Sequence, residues 1–467
     1  MTEAVIPEFD WPAGCIRFSV APEAGEAREW SVVVCGDWAP FDAHVTAMLD
    51  DPAGFYGDLL PILQDADLAI VNLEAVPLDE DLPPIVKDGP AMRIPTAVVC
   101  GLTAAPFHLA CLANNHVMDY GRDGLARTME LLTRNGVQCV GAGLNAEAAE
   151  AAKVFEVGPT RLAVLNVAEG EEARSVNGGS GAASLDGARL QGQLASLRNQ
   201  ADVVVVIAHA GREHLPIPAP HIRDLYHSLA EAGADLVIGH HPHVPQGIEF
   251  YKGALIAYSL GNFAFLMESP MEYHRLGYFL KIRFCGSRVS CAEIWPYHIM
   301  SEGLRLVTGE RLQRFLAELK DLSGLITNEA HLADVWEAYA DRWLVVSGIQ
   351  ELADSIGAMG ARGLLAQSIL KASLPQSEAK GLINRLARSV IWRAIHWLER
   401  GKGPMLWPSS FRSPSPVKSG ASILRNRFDT PSHRELYLTA LQRVMDSKAG
   451  QAPKWADRLL HDWNVFQ

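Results

Sequence analysis

The chain has 467 residues, 48% of them hydrophobic and 20% charged, enough for one large core plus a second module and too apolar for a disordered chain. Its formal net charge is -13, so it lacks the basic footprint needed to bind along a phosphate backbone, and nucleic acid is excluded as an expected partner. Seven cysteines are widely spaced without a C-x-x-C pair; they read as buried thiols of a reducing compartment rather than as a disulfide framework or a zinc-thiolate site.

Residues 1–30 form an acidic, proline-broken N-terminal extension with neither a basic n-region nor an apolar h-region, so no signal peptide is expected. No run approaches the roughly 18 apolar residues of a membrane span. A soluble, cytoplasmic protein without a transmembrane segment is the resulting expectation.

From 31 to 300, short β-branched runs alternate with helical stretches, the pattern of a layered α/β unit. Expected strands are WSVVVCGD, ADLAIVNLE, HLACLAN, VQCVGAG, RLAVLNVA, DVVVVIAHA, ADLVIGH and ALIAYSLGN, with YFLKIRF and RVSCAEIWPYHI as a closing antiparallel hairpin. GRDGLARTMELLTRNG and HIRDLYHSLAEAGA carry apolar residues at helical spacing and read as crossover helices. The Gly/Ser/Ala-rich segment 169–188 reads as a long surface loop able to cover a site.

Residues 301–467 are dominated by helix formers, with a Pro/Ser break at 403–422, and read as an appended helical region. Within it, 380–402 interleaves Lys380, Arg385, Arg388, Arg393, Arg400 and Lys402 with apolar residues. Such a helix either packs its apolar face on its own protein or makes peripheral contact with an anionic membrane.

The chemistry collects where the strands end, which in open α/β sheets is where ligands bind. Those ends carry Asp37, then Asn72 and Glu74, then Asn114, Asn115 and His116, then His209, then His240, His241 and His243. Singly, Asp37 reads as a cap or turn residue and His209 as a core histidine. Their succession at strand ends is what marks them, and GHHPH is the strongest piece. All are nitrogen or oxygen donors, which suits Mn, Fe, Zn or similar divalent ions without selecting one. Six or so ligands exceed the needs of one tetrahedral zinc and suit two ions about 4 Å apart that share a carboxylate.

These motifs resemble the calcineurin-like metallophosphoesterase superfamily and, within it, the bacterial capsule synthesis CapA or poly-γ-glutamate (PGA_cap) family. The resemblance rests on GD at 36–37, NLE at 72–74, LANNHVMDYGRDGL at 112–125, VGAG at 140–143, HAGREH at 209–214 and AGADLVIGHHPHVPQGIEFYKGALIAYSLGNFAF at 232–265. It covers residues 31–300 and implies a four-layered α/β/β/α sandwich, followed here by the helical C-terminal region.

It also implies roles. Asp37, Glu74, Asn115, His209, His241 and His243 match the ligands of two divalent metal ions, with Glu74 as the bridge. His116 matches the proton donor to the leaving group. His240 joins it as a candidate catalytic group, open between third ligand, support for a ligand and substrate contact. Asn72, Asn114, Glu213 and Asn262 are the expected substrate contacts, and Gly261 is expected to permit close backbone approach. The chain departs from the superfamily at the first motif, where Asp-x-His is replaced by Asp37-Trp38-Ala39. It departs again where a Glu stands for the second Asp, and at Ala210, where the capsule branch has Trp.

Three functional readings stay open. One is a metal-dependent hydrolase or transferase of capsule or poly-γ-glutamate-type polymer synthesis, in which a metal-bound hydroxide attacks a phosphoester, amide or ester of a small-molecule or polymer substrate. The second is an accessory protein that binds the polymer or its synthase partners. The third is an amide-cleaving or amide-forming enzyme of specialised metabolism.

Overall fold

The computed structural model describes residues 7–19, 29–87, 89–170, 173, 179–267, 269, 271–343, 430–446, 448–463 and 465. In chain order the strands are β1 (Glu8–Asp10), β2 (Cys15–Arg17), β3 (Glu29–Trp38), β4 (Leu68–Leu73), β5 (Val76–Pro77), β6 (Arg93–Ile94), β7 (Leu109–Cys111), β8 (Gln138–Val140), β9 (Ala142–Gly143), β10 (Lys153–Val157), β11 (Thr160–Ala168), β12 (Gly181–Ala182), β13 (Val203–His209), β14 (Leu236–His240), β15 (Ile248–Tyr251), β16 (Ala254–Ala257), β17 (Leu276–Cys285), β18 (Arg288–Met300) and β19 (Gly303–Leu306). One sheet has the order β1-β2-β18-β17-β3-β4-β7-β8, with β19 on β18, and the other has the order β10-β11-β13-β14-β16-β15.

Strand alternation builds the layers. Val32, Val34, Leu68, Ile70 and Leu109 of the first sheet share one core with Leu162, Val164, Val203, Val205 and Ile238 of the second, because residues two apart on a strand face the same side. The intervening residues Val33, Cys35, Ala69 and Val71 face the opposite way, towards Met48, Leu63, Leu102, Leu125 and Leu132 of the covering helices. On the far side of the second sheet, the helices Gly187–Leu197 and Pro220–Glu231 pack together, and the latter packs on β14. The result is the α/β/β/α sandwich expected from sequence.

The central strands β3, β4 and β7 run parallel, as do β11, β13 and β14, so their carboxyl ends open towards one edge. The closing hairpin is β17 and β18. Residues 8–17, read from sequence as part of an extension, add β1 and β2 to the edge of the first sheet by pairing with β18. This brings the Sγ atoms of Cys15 and Cys291 to 2.7 Å.

Contacts divide the chain into one unit of Met1–Ile85 with Ala91–Asn328 and a second of Val86–Pro90 with Glu329–Gln467. The helix Gly309–Thr327 therefore goes with the sheets, where Ser323 Oγ accepts the Ile248 amide at 2.8 Å. In the second unit, the helices Glu329–Trp343 and Pro431–Met445 are joined by Arg443, whose guanidinium meets the Asp341 carboxylate at 2.8 Å. The basic stretch 380–402 lies outside the described residues. No described helix is long and apolar enough to cross a membrane.

The segment 169–188 lies partly outside the described residues. Its described part is tied down rather than a free cover, since β12 pairs with β9 and the buried Glu169 accepts the Gly211 amide at 3.0 Å.

Candidate metal centre

A kink delivers the first carboxylate. The β3–β4 register shifts between Val34 and Asp37, a bulge of the kind that re-aims one side chain. Gly36 lies so close to the loop after β16 that a Cβ there would sit 2.0 Å from the Gly261 carbonyl oxygen. Close approach is thus a requirement of Gly36, whereas Gly261 is needed for its left-handed φ of 74°. Asp37 N donates to Gly261 O at 3.2 Å and Phe263 N donates to Asp37 O at 2.7 Å, which locks the Asp37 backbone from both sides.

The histidines arrive by sheet register. His209 and His240 end neighbouring parallel strands and sit opposite each other in the ladder. The chain then turns sharply, with His241 at φ 95° and His243 at φ 59°. Such backbone is costly for residues other than glycine, by about 1–3 kcal/mol each, and is held only where its surroundings demand it.

Within the cluster, three atoms crowd the Nε2 of His209. Asn115 Oδ1 lies at 3.0 Å, His241 Nδ1 at 3.0 Å and Glu74 Oε1 at 3.3 Å. One imidazole nitrogen offers a single N–H at most, so it cannot satisfy three lone-pair atoms. Ligand atoms around one ion with bonds near 2.1 Å are spaced by about 3.0–3.4 Å. On the other side, His243 Nε2 is 3.7 Å from Glu74 Oε1, and His243 Nδ1 is 3.3 Å from Asp37 Oδ2. Two sets of ligand atoms, Asp37–Glu74–His209 and Glu74–His241–His243, each lie within 4.8 Å, and Glu74 belongs to both.

Every member is buried, Asp37 and Glu74 completely. The Asp37 Oδ2 atom makes no hydrogen bond among the described residues. Burial alone would raise the Asp37 pKa, but the imidazoles of His240 and His243 outweigh it and hold the carboxyl well below its usual range. Burial and then the His241 imidazole push His209 well below the usual histidine value, leaving it neutral, the metal-ligating form. Burial opposes the charge on His243, yet Glu74, Asp37 and Glu213 lift its pKa to about 10. A negative field strong enough to hold that proton also suits a divalent cation, and the donor set is compatible with divalent metal binding.

The other residues singled out from sequence have the following surroundings. His240 stands against Asp37, with its Nδ1 3.1 Å from Asp37 Oδ1, and it is absent from both ligand sets. Asn72 donates to Asp37 Oδ1 at 2.8 Å and lies 3.3 Å from His209 Nδ1. Asn114 donates to Leu73 O at 2.8 Å and accepts the His116 amide at 3.1 Å. Both asparagine side chains are fully enclosed and engaged by the protein. Asn262 Oδ1 meets His243 Nδ1 at 2.9 Å. Glu213, with its side chain 43% exposed, is the most open of the expected substrate contacts; the neighbouring His241, His243 and His214 imidazoles hold its pKa below the usual carboxylate value.

His116 has a partner that sequence reasoning missed. Its Nδ1 lies 2.8 Å from Asp119 Oδ2, and that same oxygen accepts the Met92 amide at 2.6 Å. Asp119 is fully buried, and the pairing fixes Nδ1 as the protonated nitrogen and leaves Nε2 as the basic one. The signal for it in the sequence is the spacing of three in HVMD, a turn contact and not a strand end.

The description "Bacterial capsule synthesis protein PGA_cap" fits residues 31–267. The chain is 32% identical over 213 residues to the capsule biosynthesis protein CapA of Bacillus anthracis, covering 44% of this chain and 52% of that one. It is 35% identical over 156 residues to the PGA biosynthesis protein CapA of Bacillus subtilis (strain 168), covering 33% and 41%. It is 29% identical over 229 residues to a probable polyglutamine synthesis accessory protein of Mycobacterium tuberculosis, covering 44% and 58%. The chain spans about half the length of these curated relatives. With the strand-end donors gathered at one buried centre and half of its length matched, the chain belongs to the bacterial capsule synthesis PGA_cap family.

Proposed function

We propose that this chain is a metal-dependent hydrolase or transferase of capsule or poly-γ-glutamate-type polymer synthesis, acting on a phosphoester or on an amide or ester. The observation that carries the reading is the crowding of Asn115, Glu74 and His241 around His209 Nε2. Asp37, Glu74, Asn115, His209, His241 and His243 would hold two divalent ions, Mn, Fe or Zn, with Glu74 shared between them. When bound, such ions supply Lewis-acid polarisation and a nucleophile from water at neutral pH.

The chain's own residues would do the rest. Asp119 holds the His116 ring through Nδ1, so that His116 Nε2 can carry a proton to the leaving atom. His240 and Asn72 position Asp37, and Asn262 positions His243, as supports of ligand orientation. Glu213, the open carboxylate at the rim, is the residue proposed to meet substrate.

The test is hydrolysis of an aryl phosphodiester and of a γ-glutamyl anilide with added manganese, by wild type and His241→Ala. Turnover of either compound that the substitution abolishes supports the reading, and equal background rates in both proteins overturn it. A second reading, an accessory protein that binds polymer or synthase components, is favoured by Ala39 at the position of the first-motif histidine and by the name of the Mycobacterium relative. Retention of a polyglutamate chain by both proteins without turnover would select it.

A further inference from the structure

A cleft of about 680 Å³ opens beside the closing hairpin, lined by Ser269, Met271, Glu272 and Arg275, the end of β18, β19 and the start of the helix Gly309–Thr327. Three arginines, Arg275, Arg305 and Arg311, face it together with His298. All four lie beyond the residues matched by the family. The segment 271–275 borders the candidate metal centre as well, because His274 packs its ring 4.8 Å from that of His214, which in turn lies 6.0 Å from His243.

The charges in this cleft run against the rest of the unit. Over the whole chain acidic residues outnumber basic ones, 54 to 41, and within this unit arginines elsewhere find carboxylates, as Arg17 with Asp10, Arg198 with Asp235 and Arg283 with Glu293. Among the described residues Arg275 and Arg311 make no ion pair, although Glu272 and Glu302 also line the cleft. Glu302 is occupied by the Ser301 hydroxyl at 2.9 Å, and Glu272 approaches His298 at 3.9 Å. Burial first and then Arg311 depress the His298 pKa, Glu272 opposes them, and Arg275 adds a smaller downward push. Thr308 leaves the helix start without a side-chain cap, and its first amides add to the positive field.

We propose that this cleft is a second binding site, for a multiply charged anion carrying carboxylate or phosphate groups. Its volume suits a small molecule or a short chain segment, and planar guanidinium groups from three separate segments match oxyanions by paired hydrogen bonds. The site is defined by this chain's own residues and does not depend on the reaction at the metal centre.

The experiment is isothermal titration of the full chain with pyrophosphate and, separately, with pentaglutamate, using wild type, Arg275→Gln/Arg311→Gln and Arg275→Lys/Arg311→Lys. Metal content and aryl-ester turnover are measured on each protein. The expected result is saturable, salt-sensitive binding of at least one probe by wild type, weakened roughly tenfold or more in the glutamine variant and partly restored by lysine, with metal content unchanged. Pyrophosphate binding alone identifies phosphate as the ligand chemistry; pentaglutamate binding alone identifies carboxylate. Equal affinity in wild type and the glutamine variant would place the bound anion elsewhere and overturn the proposal, as would failure of wild type to bind either probe. Turnover reports separately on the metal centre.

Discussion

The Nε2 of His209 lies 3.0 Å from the Nδ1 of His241, two ring nitrogens from different strand ends pointing at each other inside the protein. Between neutral imidazoles only one of these atoms can hold a proton, and Glu74 and Asn115 compete for the same space. A divalent cation bound there would resolve the conflict, because the lone pairs would then point at positive charge.

Metal removal should loosen the fold. Asp37 and Glu74 are fully buried, and their charge is answered only in part by the surrounding imidazoles. Ligand saturation of about 100-fold over Kd stabilises a native state by about 2.7 kcal/mol, which corresponds to several degrees in Tm for a unit of this size. Thermal melts with a chelator and with excess manganese should differ by that amount in wild type, and much less in His241→Ala.

His116 and Asp119 should act as a pair at the leaving group. His116→Ala should lower turnover of a poor leaving group by about 10²–10⁴-fold, the usual contribution of a general acid. An aryl ester, whose leaving group needs no proton, should lose far less. Asp119→Asn should cost about 10- to 100-fold and shift the pH-rate profile, with metal content unchanged. Equal losses on both leaving groups would contradict the assignment.

Gly36→Ala should be severe for a steric reason. The added Cβ would stand 2.0 Å from the Gly261 carbonyl, and relief requires the loop to move away from β3, taking the Asp37 and Phe263 backbone bonds with it. Overpacking of this kind costs about 1–3 kcal/mol or more. Both the melting temperature and the metal content should drop, since the same loop carries Asn262.

Acid should destabilise the protein in part through His44, away from the metal centre. Burial lowers the His44 pKa below 6.5, and its contacts with the Met300 and Ala264 carbonyls only partly offset this. Between the folded and unfolded pKa values the unfolded chain binds more protons, so stability rises with pH through that window and is lost as pH falls from about 6.5. The slope for one group is at most about 1.4 kcal/mol per pH unit. His44→Gln should therefore be less stable at pH 7 yet lose less between pH 7 and 5, as read from thermal melts.

Much of this architecture was legible because it is local. β-branched runs ending in polar residues located the parallel strands, and GHHPH marked the carboxyl end of β14. What escaped has a common cause, distance in sequence or shortness of the element. The strands β1 and β2 have three residues each, too few to show alternation, so the pairing of Cys15 beside Cys291 was invisible. Asp119 reaches His116 through a turn rather than a strand end. Arg275, Arg305 and Arg311 come from three segments with no shared pattern, and only folding places them around one cleft. His240 stands beside Asp37, with Nδ1 3.1 Å from Asp37 Oδ1, a pairing set by its rotamer and by the inter-sheet packing, which no spacing reports.

Glu74 belongs to both sets of ligand atoms, and the proposed two-ion site would depend on it. The most direct measurement is metal content by inductively coupled plasma mass spectrometry on wild type and on Glu74→Gln and His241→Ala. The expected result is near two equivalents in wild type, loss of most metal in Glu74→Gln, and loss of at least one equivalent in His241→Ala. Wild-type protein without metal above background, or Glu74→Gln with a full complement, would contradict it.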